Sequence, residues 1–524
     1  MRRPFGEWTP DLDPLLAQDN LQVAKNVIPK TGGYAPMRSL SPVIGESLSY
    51  PPRGSFRLKN DDGSNSFFAA AHNSDSGEME LYQFRTSDIG GGVIENRWVD
   101  VSADSQYLGI LQRRVEFAGF DSLVFAASYS NPTQVIDTSR DSAFADAPSN
   151  TPRAAHVTVA ENFLFLGDLF TRDSGAVRNG VQWSAVNDPL NFPLPGTDIA
   201  TAVLSGRQVF EGNGGAINAI VAGSEVVGIF QEEATWRADF VGGDVVWRFS
   251  NIEESIGCFI KGAATAFERS IFFLAEDGFR VSNYTSSQSV GKDRVNDWFF
   301  REFDAEFPDS LTFLKDPQAT RILVSFPSKG SNGVPNRVLV YDYALNRFSF
   351  GEEVVYAAVD VGSIPLNLDS PDADFDRDVL EDDLSGSGDL NYGVLSFDER
   401  EAGDGSRRAG GFDSSFRLSS FTGGNLEGEL ETGDLELTPG GRSMINGVKS
   451  HIRGEGVTVQ VAGIDDISPG DASPLDWSLP AGRERGGIHP VRRDALYHRL
   501  RFNLGRNWEE ASFFDPEPRP TGRI

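Results

Sequence analysis

The sequence lacks the features that mark most chemical sites and membrane proteins. Its 524 residues include one cysteine, Cys258, so the chain cannot form an intramolecular disulfide or, by cysteine alone, a thiolate metal site. No run of 18 apolar residues occurs, and the opening MRRPFGEWTP has no apolar signal-peptide core. These absences predict a soluble protein that folds in a reducing compartment.

Basic side chains are also scarce. The chain has 47 Lys and Arg against 76 Asp and Glu, a net charge of −29. A surface this acidic repels phosphate backbones, so we expect no specific nucleic-acid binding, although DNA could still slide past it. The acid excess is greatest from 351 to 440, with 22 acidic and 5 basic residues, and it disappears after 441. This change predicts an acidic insertion at 366–390, between two domains.

Catalytic motifs are missing as well. The five histidines are His72, His156, His451, His489 and His498, and they form no HExxH pattern. No Gly-x-Ser-x-Gly lies at a strand-to-helix turn, and no P-loop occurs. We therefore predict no enzyme activity, no catalytic residues and no cofactor. A glycosidase would need two carboxylates about 5 to 9 Å apart, which no motif in this chain favours.

One acidic segment resembles a calcium-binding loop. Its carboxylates occupy positions 1, 3, 5, 7 and 12 of an EF-hand-like spacing, at Asp372, Asp374, Asp376, Asp378 and Asp383. However, Arg377 stands where the loop needs glycine, and no helix pattern flanks it. A solvated acidic loop is favoured over a metal site.

Glycine (55) and phenylalanine (38) are plentiful, a composition typical of short strands joined by turns. Six segments share one pattern of apolar strand, polar turn and second strand; they begin at Phe67, Ser122, Asn162, Val226, Ile271 and Arg321. Their spacing of roughly 40 to 60 residues suits propeller blades. We expect a mainly β protein with a β-propeller of six or seven blades.

Local signals place individual elements. In VQWSAVNDPLNFP, Trp183 is expected on a blade strand and Asn187-Asp188-Pro189 in the turn after it. Gly278 predicts a tight hairpin in IFFLAEDGFRVS, and VGGDVVWRF adds a strand after a Gly-Gly turn. Helices are expected only at 13–27 and at 291–303, the second docked by Trp298 and Phe299.

The C-terminal part follows a different pattern. Val457, Val459 and Val461 alternate with polar residues, as in a half-buried strand, and neighbouring segments read as further strands. We expect a β-sandwich-like domain there. The predicted organisation is therefore a strap or helix at 1–45, the propeller at 46–365, the acidic linker at 366–390 and the sandwich-like domain at 391–524.

Basic and aromatic residues cluster near the C-terminus. They are Arg492, Arg493, Tyr497, His498, Arg499, Arg501 and Arg506. In YHRLRFNLG they alternate with apolar residues, which favours a strand with a basic outer face over a phosphate site. Contact with an acidic neighbouring subunit would suit this face equally well.

Several ordered motifs point to one family. WTPDLDP, LQVAKNVIPKTGGYAPMRSL, QWSAVNDPLNF, IFQEEATWR, FVGGDVVWRF, IFFLAEDGF and RVNDWFF follow one another from Trp8 to about Phe350. ETGDLELTPGGR and YHRLRFNL extend the match into the C-terminal part. Together they resemble the tail-nozzle, or tail-hub, proteins of short-tailed bacteriophages. The acidic run from Asp369 to Asp389 does not fit that pattern.

The resemblance implies a structural protein of the virion tail, assembled in the host cytoplasm. It implies a ring of usually six copies below the portal and adaptor, forming a channel for genome ejection. The implied partners are other copies, the adaptor (head-to-tail connector), and tail fibre or tail needle proteins, with DNA passing without specific binding. The alternative is a receptor- or glycan-binding propeller of a tail fibre.

The charge suggests how such a channel would work. An acidic inner wall would repel DNA and keep it centred, whereas a basic wall would bind and stall it. We therefore expect acidic residues on the lumen wall and lysine and arginine at subunit contacts or outside.

Overall fold

The computed structural model describes residues 2–60, 63–88, 94–103, 107, 114–223, 225–243, 245–362, 407–465, 475–484 and 486–523. Strands make up 55% of the protein and helices 3%, as the sequence predicts. The described helices include none long and apolar enough to cross a membrane. Two compact units form: unit 1 is Met1–Ser41, Ser270–Val355 and Phe421–Ile524, and unit 2 is Pro42–Arg269 and Tyr356–Ser420.

The first half of the chain is built almost entirely from strands. The first segment carries β1 (Arg3–Pro4), β2 (Leu21–Lys25), β3 (Val27–Lys30), β4 (Gly33–Pro36) and β5 (Ser41–Ser47). Unit 2 continues with β6 (Pro52–Lys59), β7 (Asn65–His72), β8 (Met79–Asp88), β9 (Ile94–Asp100), β10 (Glu116–Phe120), β11 (Leu123–Ala127), β12 (Gln134–Asp137) and β13 (Ala145–Asp146). Next come β14 (Arg153–Ala160), β15 (Phe163–Thr171), β16 (Gly175–Trp183), α1 (Asp198–Ala202), β17 (Gly206–Val209), β18 (Ile217–Ala222), β19 (Val226–Gln231), β20 (Thr235–Phe240), β21 (Trp247–Glu253) and β22 (Ala264–Phe267).

The chain then alternates between the units. Unit 1 holds β23 (Ser270–Ala275), β24 (Gly278–Ser282), β25 (Ser287–Ser289), α2 (Asn296–Glu302), a 3-10 turn (Pro308–Ser310), β26 (Thr312–Lys315), β27 (Arg321–Phe326), β28 (Arg337–Asp342) and β29 (Arg347–Gly351). Unit 2 receives β30 (Tyr356–Val361), β31 (Arg408–Phe412) and β32 (Arg417–Ser420). Unit 1 ends with β33 (Gly428–Thr432), β34 (Gly441–Gly454), β35 (Val457–Ile464), β36 (Ala481–Gly482), β37 (Ile488–His489), β38 (Arg493–Ala495), β39 (Tyr497–Leu504) and β40 (Trp508–Arg523).

Unit 2 consists of four-stranded antiparallel sheets of the propeller-blade type. Four are consecutive meanders, β6–β9, β10–β13, β14–β17 and β18–β21, and the fifth joins β30–β32 to the early strand β5. Unit 1 adds the meanders β23–β25 and β26–β29. The described part of the chain therefore holds five blade-type sheets in unit 2 and two antiparallel meanders in unit 1.

Consecutive sheets of unit 2 pack face to face through apolar clusters. Phe67 and Phe412 belong to the cluster joining β5 and β30–β32 to β6–β9, and Phe68 and Val124 to the next one. Two further clusters continue the series to β14–β17 and then β18–β21. The central strands are apolar on both faces because both faces meet a neighbouring sheet.

Unit 1 contains the predicted sandwich-like domain. One sheet has the order β3-β4-β40-β34-β37, and the second runs from β26–β29 through β2, β33, β39 and β35 to β36. The sheets meet where Phe502 of β39 packs against Phe514 of β40, with ring centroids 5.2 Å apart. The predicted alternation along Val457, Val459 and Val461 is confirmed, since all three are buried.

Most local predictions are confirmed. Trp183 ends β16 and Asn187 has φ of 56° in the following turn. Gly278 has φ of 116° at the β23–β24 hairpin, and β21 follows the Gly242-Gly243 turn. The second predicted helix is α2, with Trp298 and Phe299 buried.

The helix predicted at 13–27 is wrong. Asp13 accepts a hydrogen bond from the Leu15 amide in a turn, and Leu16, an expected apolar contact, is exposed. The second half is β2, which pairs with β33 about 400 residues later. Tertiary pairing overrides the local pattern there.

Contacts divide the chain differently from the linear scheme 1–45, 46–365, 366–390 and 391–524, and those boundaries stay a prediction.

The N-terminal segment is anchored inside unit 1. Trp8 is fully buried against Trp298 and Phe350, with centroid distances of 4.7 and 5.1 Å. Helix α2 has no side-chain cap of its own. Asp11 supplies it, accepting hydrogen bonds from the amides of Asp297 (2.9 Å) and Trp298 (2.8 Å).

We expect Asp11→Ala to lower the free energy of unfolding by about 1 kcal/mol, because two amides at the start of α2 lose their acceptor. Chemical denaturation monitored by tryptophan fluorescence measures the change. The exposed Glu306 is a matched control, and Glu306→Ala should stay within about 0.5 kcal/mol of the parent. Equal effects of the two substitutions would contradict the capping role.

Candidate functional site

The residues singled out in the sequence do not form one site. The five aspartates of the acidic loop, Asp372 to Asp383, lie outside the described residues, as does the whole predicted linker. Four histidines are buried, and the fifth, His451, stacks on Phe513 with centroids 3.8 Å apart. His72 and His156 belong to unit 2, whereas His451, His489 and His498 belong to unit 1.

The histidines of unit 1 have local partners. His498 Nε2 lies 3.0 Å from the Ser443 carbonyl oxygen, and His489 Nε2 lies 2.8 Å from Ser450 Oγ. Burial lowers the pKa of both imidazoles. His489 has partners for both ring nitrogens, since its Nδ1 lies 2.9 Å from the Ala481 carbonyl oxygen, whereas Nδ1 of His498 is buried without one among the described residues.

The most site-like feature of unit 2 is the row formed by the first strand of each sheet, which we call the inner row. Strands β30, β6, β10, β14, β18 and β22 follow one another in contact. In propellers such strands surround the axis, where ligands commonly bind. Polar groups that join neighbouring strands of this row are therefore the first place to look for chemistry.

Arginine and aspartate join β6 to β30. Arg57 donates to Asp360 from Nε (3.1 Å) and from an Nη atom (2.8 Å), and its other Nη donates to Asn65 (2.7 Å). Arg407 donates to the same carboxylate at 2.5 Å. Both cations therefore find their carboxylate partner within the chain.

A glutamate and a histidine join β10 to β14. Nδ1 of His156 lies 3.1 Å from Oε1 of Glu116, and Arg114 approaches the same oxygen at 3.4 Å. Burial pushes the pKa of Glu116 up, but His156 and Arg114 together outweigh it and hold that pKa below its usual value. Glu116 is thus held as a carboxylate, which makes it a poor general acid.

The most buried charge nearby is Asp168. It has no exposed surface, and its φ of 54° falls at an irregularity in the β15–β16 pairing. Its carboxylate binds Lys261 and both Nε and Nη of Arg178, and Arg178 also covers the Tyr129 ring at 4.5 Å. Lys261 lies in the connection that precedes β22, so its contact with the buried carboxylate of Asp168 ties that connection to strand β15.

Asp168 and Glu116 were not among the residues singled out in the sequence. Asp168 is a lone acid inside the apolar run NFLFLGDLF, and a single charge in such a run is the signal of a buried ion pair. Nothing in the sequence could indicate Lys261, which lies 93 residues away along the chain.

Cys258 does not provide a nucleophile. Its thiol is buried, lies 3.1 Å from the Ile260 carbonyl oxygen and has a pKa raised to about 12 by burial. At neutral pH it is a thiol, which neither attacks carbonyls nor binds metal. Among the described residues, no group of three His, Cys, Asp or Glu side chains is placed to hold a metal ion.

Arg499 and Arg501 lie on strand β39 as predicted, whereas Arg492 and Arg506 lie outside the strands, and the acidic neighbours of Arg499 and Arg501 belong to the same chain. Arg499 donates to Asp434 at 2.7 Å, and Arg501 donates to Glu431 at 2.8 Å. Arg501 also covers the Trp477 ring at 4.1 Å. This face of β39 is therefore largely neutralised within unit 1, and these two arginines are not available to a phosphate.

Large apolar side chains of two neighbouring sheets of unit 2 are left exposed. Ile199, Phe240, Val241 and Val245, which we call the apolar rim, are 69%, 40%, 45% and 58% exposed. Ile199 lies in α1 between β16 and β17, Phe240 ends β20, and Val241 and Val245 lie in the β20–β21 connection. Phe240 contacts Trp247 and Phe163 of the cluster between the two sheets, and Leu204, next to that cluster, has the unusual φ of 61°. Apolar surface beside a strained residue is typical of an interaction site.

Comparison with known proteins adds only general similarity. No protein-family model and no curated protein matches the sequence. The computationally designed Ika8 protein is 12% identical, covering 62% of this chain and 96% of that chain with a TM-score of 0.34. AztD from Citrobacter koseri is 8% identical, covering 56% and 71% with a TM-score of 0.30. Scores this low carry no functional argument.

We expect Asp168→Asn to lower the free energy of unfolding by roughly 2 to 3 kcal/mol, because two cations lose the charge that holds them. Asp173→Asn is the matched control: Asp173 pairs with Arg207 at the surface of the same sheet, and its loss should cost at most about 1 kcal/mol. Denaturant titration measures both. Equal losses would show that Asp168 is not a structural hub.

Lowering the pH should also reveal how much Glu116 contributes to stability. Its folded-state pKa lies below the unfolded value of about 4.3, so its carboxylate stabilises the fold above that pH and loses this effect as pH falls through the folded pKa. The stability gap between the parent and Glu116→Gln should stay constant above about pH 5.5 and narrow below about pH 4.5. The exposed control Glu233→Gln should show little gap at any pH. A Glu116→Gln gap that does not change with pH would contradict this assignment.

Proposed function

We propose that this chain is a structural protein of a bacteriophage virion, a subunit of the tail nozzle ring. Six copies would surround a channel below the portal and adaptor rings, through which the genome leaves. The ordered motifs from Trp8 to about Phe350 support this proposal, and a mainly β chain of blade-like sheets is compatible with it.

The apolar rim is the observation that supports assembly into a ring. Four of the ten large apolar side chains that are exposed among the described residues belong to the rim, and three of the four lie within six positions of the chain, from Phe240 to Val245. A cyclic ring needs two different contact faces per subunit, and the rim supplies one of them. A neighbouring copy is the occupant we assign to it.

The inner row supports a scaffold more than a catalyst. Its carboxylates Asp360 and Glu116 are engaged by arginine and histidine, Asp168 of the neighbouring strand β15 is engaged by lysine and arginine, and Cys258 is protonated. An active site instead leaves a nucleophile or base aimed at space for a substrate. The described inner row holds its charges in strand-to-strand contacts.

The excess of acidic over basic residues is compatible with a channel for DNA. Duplex DNA carries about one negative charge per 1.7 Å of its axis and is repelled by an acidic wall, so it slides without binding. In this proposal the other partners are the adaptor and the tail fibre or tail needle proteins. The subunit is assembled in the host cytoplasm and resides in the virion tail.

We expect Ile199→Asp and Val245→Asp to weaken self-association at least about tenfold, because each places a charge in an apolar contact. Leu479→Asp is the matched control, since Leu479 is an exposed leucine of unit 1, whereas the rim belongs to unit 2. Mass photometry and sedimentation velocity would measure the assemblies, with circular dichroism to confirm folding. Unchanged assembly of both rim variants would contradict the role of the rim.

We expect the purified protein to bind duplex DNA no more tightly than about 100 µM at physiological salt, because its net charge opposes counterion release. Fluorescence anisotropy with labelled duplexes of mixed sequence provides the measurement. Sub-micromolar binding would contradict the sliding mechanism. Tight binding of a glycan array by isolated monomers would instead support the alternative, a receptor- or glycan-binding propeller of a tail fibre.

A further inference from the structure

Strand β40 has one edge that is only partly covered. Along its first edge it pairs with β34 from Trp508 to Arg523. Along its second edge, pairing within the described residues occurs only near its start, where Ala511 faces Tyr34 of β4 and Phe514 faces Arg3 of β1. From residue 516 onward, this second edge has no neighbouring strand among those described.

The hydrogen bonds fix which residues point toward the second edge. The Phe5 amide donates to the Ser512 carbonyl at 3.2 Å, so the backbone of Ser512 faces β1. Phe514, two residues on, faces Arg3 in the same ladder. The irregularity opposite 516–518 adds its extra residue to β34 and not to β40. Because backbone groups of a strand alternate between its two edges, residues 516, 518 and 520 therefore face the second edge too.

All three of these positions are proline. Pro516, Pro518 and Pro520 alternate with Glu517 and Arg519, of which Arg519 pairs with Met444 of β34 and Glu517 lies at the irregularity of that pairing. Proline has no amide hydrogen, so the second edge carries carbonyl acceptors and no backbone donors over this stretch. Pro516 is buried and residues 517–522 are exposed, so solvent and other proteins can reach the edge at Pro518 and Pro520.

An added strand needs a donor and an acceptor at every second residue of the edge it joins. An exposed edge with both would be a template for pairing with another chain. A long strand such as β40 is a hazard of this kind, since any assembly brings identical edges together at high local concentration. Proline at alternate positions removes the donors without disturbing the pairing to β34.

We propose that Pro516, Pro518 and Pro520 close the second edge of β40 to strand addition by another copy of this chain. Prolines shifted by one position along the strand would instead face β34 and would break the hydrogen-bond ladder between β40 and β34. This inference depends on the register of β40 alone and is independent of the proposed role in a phage tail.

The test restores the missing donors. In the variant Pro516→Thr/Pro518→Thr/Pro520→Thr, three amides face the open edge. The control is Glu517→Thr/Arg519→Thr on the same strand, which adds the same residue type, leaves the net charge unchanged and gives the open edge no donor. Sedimentation velocity over a concentration series would compare both with the parent, and circular dichroism would confirm folding.

We expect the triple variant to self-associate at a concentration at least about tenfold lower than the parent and the control. Hydrogen exchange measured by mass spectrometry should show concentration-dependent protection of 516–520, which locates the new contact at this edge and separates it from any contact at the apolar rim. If the triple variant folds poorly, Pro518→Thr alone should show a smaller shift with the same localisation. A folded variant with the parent's association and no protection at 516–520 would overturn the proposal.

Discussion

Each central strand of unit 2 is apolar on both faces, and this is the constraint on which the architecture depends. A sheet with two apolar faces needs a neighbour on each side, so one sheet packs on the next through successive aromatic and aliphatic clusters. Joining the early strand β5 to the late strands β30–β32 ties distant parts of the chain into the same series. Radial repetition of sheets meets this constraint without leaving long exposed edges.

The same constraint determines where polar groups lie. Side chains at the junctions of the inner row are enclosed by neighbouring sheets, so a charge there must find its partner within the chain. Arg57 with Asp360, and His156 with Glu116, meet that requirement between adjacent strands. Apolar surface that is not covered within the chain lies outside the inner row, at the apolar rim. For this reason we propose that the protein functions through contacts between molecules.

Sequence patterns predicted elements whose signals are local. Gly278 marks a hairpin because its φ of 116° suits glycine, and β39 follows from strict alternation over eight residues. The wrong helix at 13–27 had apolar residues but no consistent helical face, and pairing with a distant strand decided the outcome. The Asp168 cluster was beyond sequence reasoning, since Arg178 and Lys261 reach it from separate elements. Local periodicity carries no information about such distant pairs.

The central claim is that identical copies of this chain surround a channel whose wall repels DNA. Cryo-electron microscopy of the assembled particle, with surface charge calculated on the inner wall, tests it most directly. We expect a closed ring in which the apolar rim is covered by a neighbouring copy and acidic side chains dominate the lumen. A lumen lined mainly by lysine and arginine, or a chain found outside any ring, would contradict it.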